Sequence, residues 1–169
     1  MDTVEQHVVT SFETLYDDTE LTDFELRAED GSVKVHKEVL AASSPVLRRM
    51  LSGSWRETTE GHVDVPGTSV QTLQHFIDYI YTDTLPHTGL EQILLLGSYY
   101  MIPDLEQRCV NTLIKSLSAQ NACDLLEFAV KHKVTGLVLA ILDCVQSRRV
   151  QVTDMRQHFL NYQNNNCEK

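Results

Sequence analysis

Seven histidines and four cysteines are the residues of this chain best able to bind a metal or attack a substrate. A zinc site needs ligands at short fixed spacings, such as a Cys-x-x-Cys pair or the two histidines of His-Glu-x-x-His. His7, His36, His62, His75, His87, His132 and His158 form no such set, and Cys109, Cys123, Cys144 and Cys167 include no Cys-x-x-Cys pair. There is no Gly-x-Ser-x-Gly elbow, no phosphate-binding glycine loop and no dinucleotide fingerprint. Cys109 falls in an apolar helical pattern, where thiols are usually inert. No cofactor or metal is expected, and a non-catalytic protein is. The chemistry that remains is recognition. Met50-Leu51-Ser52-Gly53-Ser54-Trp55-Arg56-Glu57 places the only tryptophan in a polar loop after a helix. An exposed indole there can anchor in a partner's groove while the Glu57 carboxylate fixes orientation. Ser54 and Glu57 also have capping-box spacing, which accounts for the glutamate without a partner.

The elements that must position this loop are mostly helices. Phe24, Leu26 and Ala28 alternate with polar residues, and Val33 and Val35 alternate again. Asp30-Gly31 between them predicts a hairpin with a φ > 0 turn. From His36 the period becomes helical through Val39, Leu40, Ala41 and Ala42. Ser44 is placed to cap a second helix that opens on Pro45. His62-Val63-Asp64-Val65 predicts a third strand ending at Pro66. Thr68 with Gln71, and Thr88 with Glu91, have capping-box spacing before helices holding Leu73 to Ile80 and Ile93 to Met101. Further helices are predicted from Pro103 to about Leu117, Ala119 to Lys131, Thr135 to Arg149 and Thr153 to Tyr162. At the front, Thr3 with Gln6 caps a helix whose Val4, Val8, Phe12, Leu15 and Tyr16 form one apolar stripe.

The run VHKEVLAASSPVL from Val35 to Leu47 resembles the BTB/POZ domain family, with Leu47 in place of the usual aromatic. FIDYIYTDTL from Phe76 and LLLGSYYMIPDLEQRCVNTL from Leu94 continue the match in order. The resemblance implies an α+β fold, with a helical core capped by a short β-sheet, followed by a C-terminal helical extension. It divides the chain into a BTB domain over 1–117 with an N-terminal dimerisation helix, a 3-box/BACK-like extension over 118–163, and a disordered tail over 164–169. The leading acidic helix and the ELTDF entry look most like the speckle-type POZ (MATH-BTB) branch.

What the resemblance implies for function is an adaptor that pairs with itself and binds the cullin-3 N-terminal domain. Dimer contacts carry over to Val8, Phe12, Leu15 and Val39, although the leading helix could instead fold back on its own protomer. Cullin contacts carry over to Met50, Leu51, Trp55 and Glu57, and also to Tyr99, Tyr100 and Met101. Part of that last segment can equally be core. Asp23 and Lys37 match a charged pair beneath the dimer groove of BTB repressors, here expected to be structural. His36 is expected to be packed and hydrogen-bonded. The favoured function is recruitment of an unidentified protein target to a cullin-RING ubiquitin ligase. The alternative is a scaffold that recruits transcriptional corepressors without cullin. No MATH or Kelch-like domain is evident, so either the chain is a fragment or targets are gripped by another surface or another protein.

Composition bounds these expectations independently. Net charge is −10, and residues 1–30 hold ten acids against Arg27 alone, while the rest is nearly neutral. Such a strip repels phosphate backbones, which disfavours direct nucleic-acid binding. Its plainest role is a solvated face that keeps the protein soluble. No apolar run approaches the roughly 18 residues needed to span a bilayer, and no signal pattern opens the chain. With scattered cysteines expected as reduced thiols, the expected compartment is nucleus and/or cytoplasm.

Overall fold

The computed structural model describes residues 14–16, 18, 20–52 and 59–147. The predicted stripe of the leading helix before residue 14, the Trp55 loop, the helix expected over 153–162 and the tail lie outside them. The described residues divide between Cys109 and Val110 into two compact units.

The first unit opens with the expected hairpin, β1 (Phe24–Arg27) antiparallel to β2 (Ser32–Val35), in the register Phe24↔Val35 and Leu26↔Val33. All four of these side chains are buried, which is what the period-two alternation requires. The connection differs from expectation. Positive φ occurs at neither Asp30 nor Gly31, because the loop spans four residues and is tied elsewhere. Asp30 accepts the Val70 N–H at 2.6 Å, and Glu29 accepts the Gly67 N–H at 3.0 Å. The third strand, β3 (His62–Asp64), joins β1 in parallel and gives the sheet order β2-β1-β3.

Helix α1 (Lys37–Ser43) and α2 (Pro45–Leu51) follow the hairpin, and Ser44 caps α2 by accepting the Leu47 N–H at 3.1 Å. Helix α3 (Val70–Thr82) packs on β2 and α1, and α4 (Leu90–Tyr99) packs on α3. Two expected caps shift. Ser69, not Thr68, caps α3, and α4 begins after left-handed Gly89 with no side-chain cap. Leu26, Leu40, Leu47, Leu73, Phe76 and Ile93 are almost fully buried and form the centre of this unit's core. Helix α5 (Pro103–Lys115) contains the division between the units.

The second unit is helical. Helix α6 (Ala122–Lys131) packs against α7 (Thr135–Gln146), burying Leu126, Ala129, Leu137 and Ile141. Asn121 braces the turn before α6, accepting the Ser118 N–H at 2.7 Å and donating to the Ser116 carbonyl at 3.0 Å. The described chain is thus α+β, with a small sheet against helices and further helices at its C-terminal side. Among the described residues no helix is long and apolar enough to cross a membrane.

Candidate functional site

Helix α2 places Pro45, Val46, Arg49 and Met50 on one face, at the i, i+1, i+4, i+5 spacing of a helix. These four, with Met101 from the turn between α4 and α5, line an open, largely apolar groove of about 390 Å³. The walls come from distant parts of the sequence, and Ser44 joins them. While its hydroxyl oxygen accepts the Leu47 N–H, its O–H donates to the Tyr100 carbonyl at 2.5 Å. Ser44 is buried, so one side chain both starts the helical wall and fixes the opposing turn.

That turn is a Schellman motif. The Ile102 N–H reaches back to the Gly97 carbonyl at 2.8 Å, and the Met101 N–H to the Ser98 carbonyl at 3.2 Å. Met101 itself is left-handed, at φ 54. A side chain in that conformation costs about 1–2 kcal/mol relative to a right-handed residue. The turn alternates the three residues that follow Ser98. Tyr99 is 68% exposed, Tyr100 only 2%, and Met101 61%.

Of the expected cullin contacts, Met50 and Met101 are therefore brought into one groove, with Tyr99 exposed at the same turn. Tyr100 is corrected to a core residue. Its ring packs 5.6 Å from that of Phe76, and burial pushes its hydroxyl up to about 12. Its visible effect on the surface is to support Tyr99, whose ring stands edge-on to it at 5.0 Å. Leu51 is likewise core, since it is buried on the inner face of α2. Trp55 and Glu57 lie outside the described residues. Pro45, Val46 and Arg49 belong to the groove although the sequence reading gave them no contact role. The four-residue spacings Pro45–Arg49 and Val46–Met50 were the available signal.

Arg49 is the charged residue in the groove lining. Arg48 and Arg49 occupy the last turn of α2, where cations favour the negative end of the helix dipole. The Arg48 Nε donates to the Ala41 carbonyl at 2.8 Å. This positive charge on a chain of net −10 suits an occupant with an acid beside an apolar stripe.

The remaining expected residues are placed differently. Asp23 and Lys37 do not form a charged pair among the described residues. The Asp23 carboxylate instead accepts the Lys37 main-chain N–H at 2.9 Å, capping α1 from a distance where His36 gives no side-chain cap. Val39 is buried within its protomer and so offers no free dimer face. Leu15 is half-buried, while Val8 and Phe12 lie outside the described residues. Tyr16, next to Leu15, is fixed to its own protomer. Its O–H donates to Asp78, and Gln74 donates to its oxygen. Burial and then the Asp78 bond raise the Tyr16 hydroxyl well above its ordinary value.

His36 is buried, and both its main-chain N–H (3.0 Å) and its Nδ1 (2.8 Å) meet the Tyr81 hydroxyl oxygen. The main-chain N–H donates to that oxygen, and the second contact fixes the imidazole ring against Tyr81. Burial pushes the Cys109 thiol up to about 12, against the smaller lowering influence of Arg108. A thiol so protonated is no nucleophile at neutral pH. Among the described residues no group of His, Cys, Asp or Glu is gathered to hold a metal.

Residues 12–117 match the BTB/POZ domain family. Kelch repeat and BTB domain-containing protein 8 of Danio rerio is 29% identical over 126 residues, covering 73% of this chain and 21% of the relative. The Xenopus tropicalis form is 27% identical over 156 residues, 90% of this chain and 26% of the relative. Kelch-like protein 3 of Mus musculus is 32% identical over 120 residues, 70% of this chain and 20% of the relative. The chain thus spans about a fifth to a quarter of the length of these curated relatives. The expected branch is corrected by them, from speckle-type MATH-BTB to Kelch-type BTB proteins. Among solved structures, the BTB domain of human gigaxonin aligns with a TM-score of 0.54 at 21% identity, covering 62% of this chain and 88% of that one. The BTB domain of zebrafish PATZ1 aligns at 0.57 and 17% identity, over 69% and 98%. These two likenesses bear on the fold.

Proposed function

The chain belongs to the BTB/POZ domain family, and from that premise we propose that it is a non-catalytic, homodimeric adaptor that docks the N-terminal domain of cullin-3 and brings a protein target to a cullin-RING ubiquitin ligase. The observation that carries this reading is the groove of Pro45, Val46, Arg49, Met50 and Met101. It has the shape and chemistry to take the apolar face of a helix, with Arg49 available to an acid on the same helix. Helix α2, which supplies four of its five lining residues, leads directly into the Trp55-Arg56-Glu57 segment that the family resemblance assigns to the same partner. Helices α6 and α7 serve in this reading as the start of the adaptor's helical extension.

Calorimetry with the cullin-3 N-terminal domain tests the proposal. The parent protein binds, and Trp55→Ala with Glu57→Ala weakens binding at least about tenfold, the loss expected from one aromatic anchor and its oriented carboxylate. Absence of binding by the parent protein ends the reading. Recruitment of corepressors through Asp23 and Lys37 is the less supported alternative, since the Asp23 carboxylate is engaged with the α1 main chain.

A further inference from the structure

Tyr16 is held by its hydroxyl. It ends the helical residues 14–16 and meets α3 through that group, which donates to the Asp78 carboxylate while the Gln74 amide donates to the phenol oxygen. Gln74 also donates to the same carboxylate oxygen at 3.1 Å, so the three side chains share one set of bonds. The Tyr16 ring lies 4.9 Å from that of Tyr81, whose hydroxyl receives the His36 main-chain N–H. This arrangement accommodates one negative charge. A second anion at the phenol oxygen would face the Asp78 carboxylate at hydrogen-bond range with no proton between them.

The surrounding sequence is equally one-sided. Glu13, Asp17, Asp18 and Glu20 flank Tyr16, and no Lys or Arg precedes Arg27. Such a segment complements an enzyme whose substrate channel is basic. Tyr79, Tyr81 and Tyr100 are buried, and Tyr99 is exposed but has no acid within four residues on either side. Tyr16 is half-buried, a state from which local opening presents the side chain.

We propose that Tyr16 is a phosphorylation site for a tyrosine kinase, and that its modification releases residues 14–16 from α3. The site does not depend on the adaptor reading. The γ-phosphoryl group of ATP passes to the phenol oxygen: an O–P bond forms there as the bond to ADP breaks, and the phenol proton goes to the kinase's catalytic carboxylate. Two changes then act in the same direction. Asp78 loses the donor that held Tyr16, and a group of about −1.5 to −2 charges takes the donor's place beside it. The Gln74 amide is one neutral donor already shared with Asp78, so it cannot neutralise the added charge. With the hydroxyl contact gone, the ring also leaves its place against Tyr81.

The test treats the full chain with ATP and the catalytic domain of a broad-specificity tyrosine kinase, maps the products by peptide mass spectrometry and follows thermal unfolding. Tyr16 is modified ahead of Tyr99, the modified chain melts at least about 4 °C below the parent, and a tyrosine phosphatase restores the parent Tm. Tyr16→Phe keeps the ring but takes no phosphate, so the same treatment leaves its Tm within about 1 °C. Asp78→Asn removes the opposing charge, and its loss of Tm on modification is less than half that of the parent. A chain in which Tyr16 stays unmodified overturns the site. A chain modified at Tyr16 with an unchanged Tm overturns the release, since the phosphate would then sit beside Asp78 without cost. An equal loss of Tm in Tyr16→Phe traces the effect to another tyrosine and overturns the proposal as a whole.

Discussion

Cys109 and Tyr100 are buried groups held in their neutral forms, each with its pKa raised to about 12 by desolvation. The consequence for pH follows from the sign. A raised pKa means that the folded protein binds the proton more tightly than the unfolded chain does. The stability involved is complete below the ordinary values of 9.0 and 10.0, and is lost as pH climbs from there towards 12. Urea unfolding is therefore expected to give a flat stability up to about pH 8 and a decline above pH 9. Cys109→Ala should remove the earliest part of that decline, and an unchanged alkaline profile in this variant would refute the assignment. The same protonation predicts that native Cys109 does not react with iodoacetamide at pH 7.5 and becomes reactive on unfolding, which mass spectrometry can follow. At this scale the sequence was only partly legible. The apolar helical pattern around Cys109 announced an inert thiol. The three-residue run Tyr99-Tyr100-Met101 did not announce which member points inward, because that order is set by the left-handed turn at Met101. Asp23 and Lys37 were expected as a charged pair from the resemblance to BTB repressors, yet the carboxylate finds a main-chain N–H, a partner that no side-chain pattern reveals.

Ser44 shows how a helix terminus becomes part of a binding surface. Replacing it with alanine removes the cap of α2, worth about 1 kcal/mol, and leaves the Tyr100 carbonyl without its donor, at about 1–3 kcal/mol. Ser44→Ala is expected to lower unfolding free energy by about 2–4 kcal/mol in urea titration, and a loss under about 1 kcal/mol would mean that water replaces the hydroxyl at both contacts. Glycines give a paired test of helix packing. A Cβ at Gly97 would lie 3.1 Å from Cγ of the fully buried Leu105, so Gly97→Ala should destabilise the approach of α4 to α5 despite its better helix propensity. At Gly136 a Cβ meets nothing within 4 Å, and Gly136→Ala should stabilise α7 by about 0.5–1 kcal/mol. Equal effects at the two positions would contradict this difference in packing. Element types were legible from period alone, from the β1–β2 hairpin through the Ser44-Pro45 start of α2. Caps were less so, because α1 takes its cap from the remote Asp23 carboxylate on Lys37, and α3 adds the Asp30 carboxylate on Val70 to its local Ser69 cap. The parallel pairing of β3 with β1 is equally non-local, and alternation within a strand carries no information about its neighbour.

At the scale of the whole molecule, charge and self-association act against each other. Residues 1–30 are strongly negative in sequence and include the expected apolar stripe of the leading helix, through which the proposed dimer forms. Tyr16 is anchored on Asp78 and Gln74 of its own protomer. Pairing two copies through those residues brings like charges together across the interface, at a distance where screening matters. The Debye length falls from about 30 Å at 0.01 M salt to about 8 Å at 0.15 M. Dimer dissociation constants measured by sedimentation should therefore fall as NaCl is raised through that range, the reverse of the trend for an interface held by opposite charges. Phe12→Asp with Leu15→Asp adds charge and removes the apolar contact, and should give monomers at both salt concentrations. A helix folded back on its own protomer predicts instead a parent protein that is monomeric throughout, with the double substitution acting on stability alone. A dimer that weakens with added salt, or that survives the double substitution, would place the self-association surface elsewhere on the molecule.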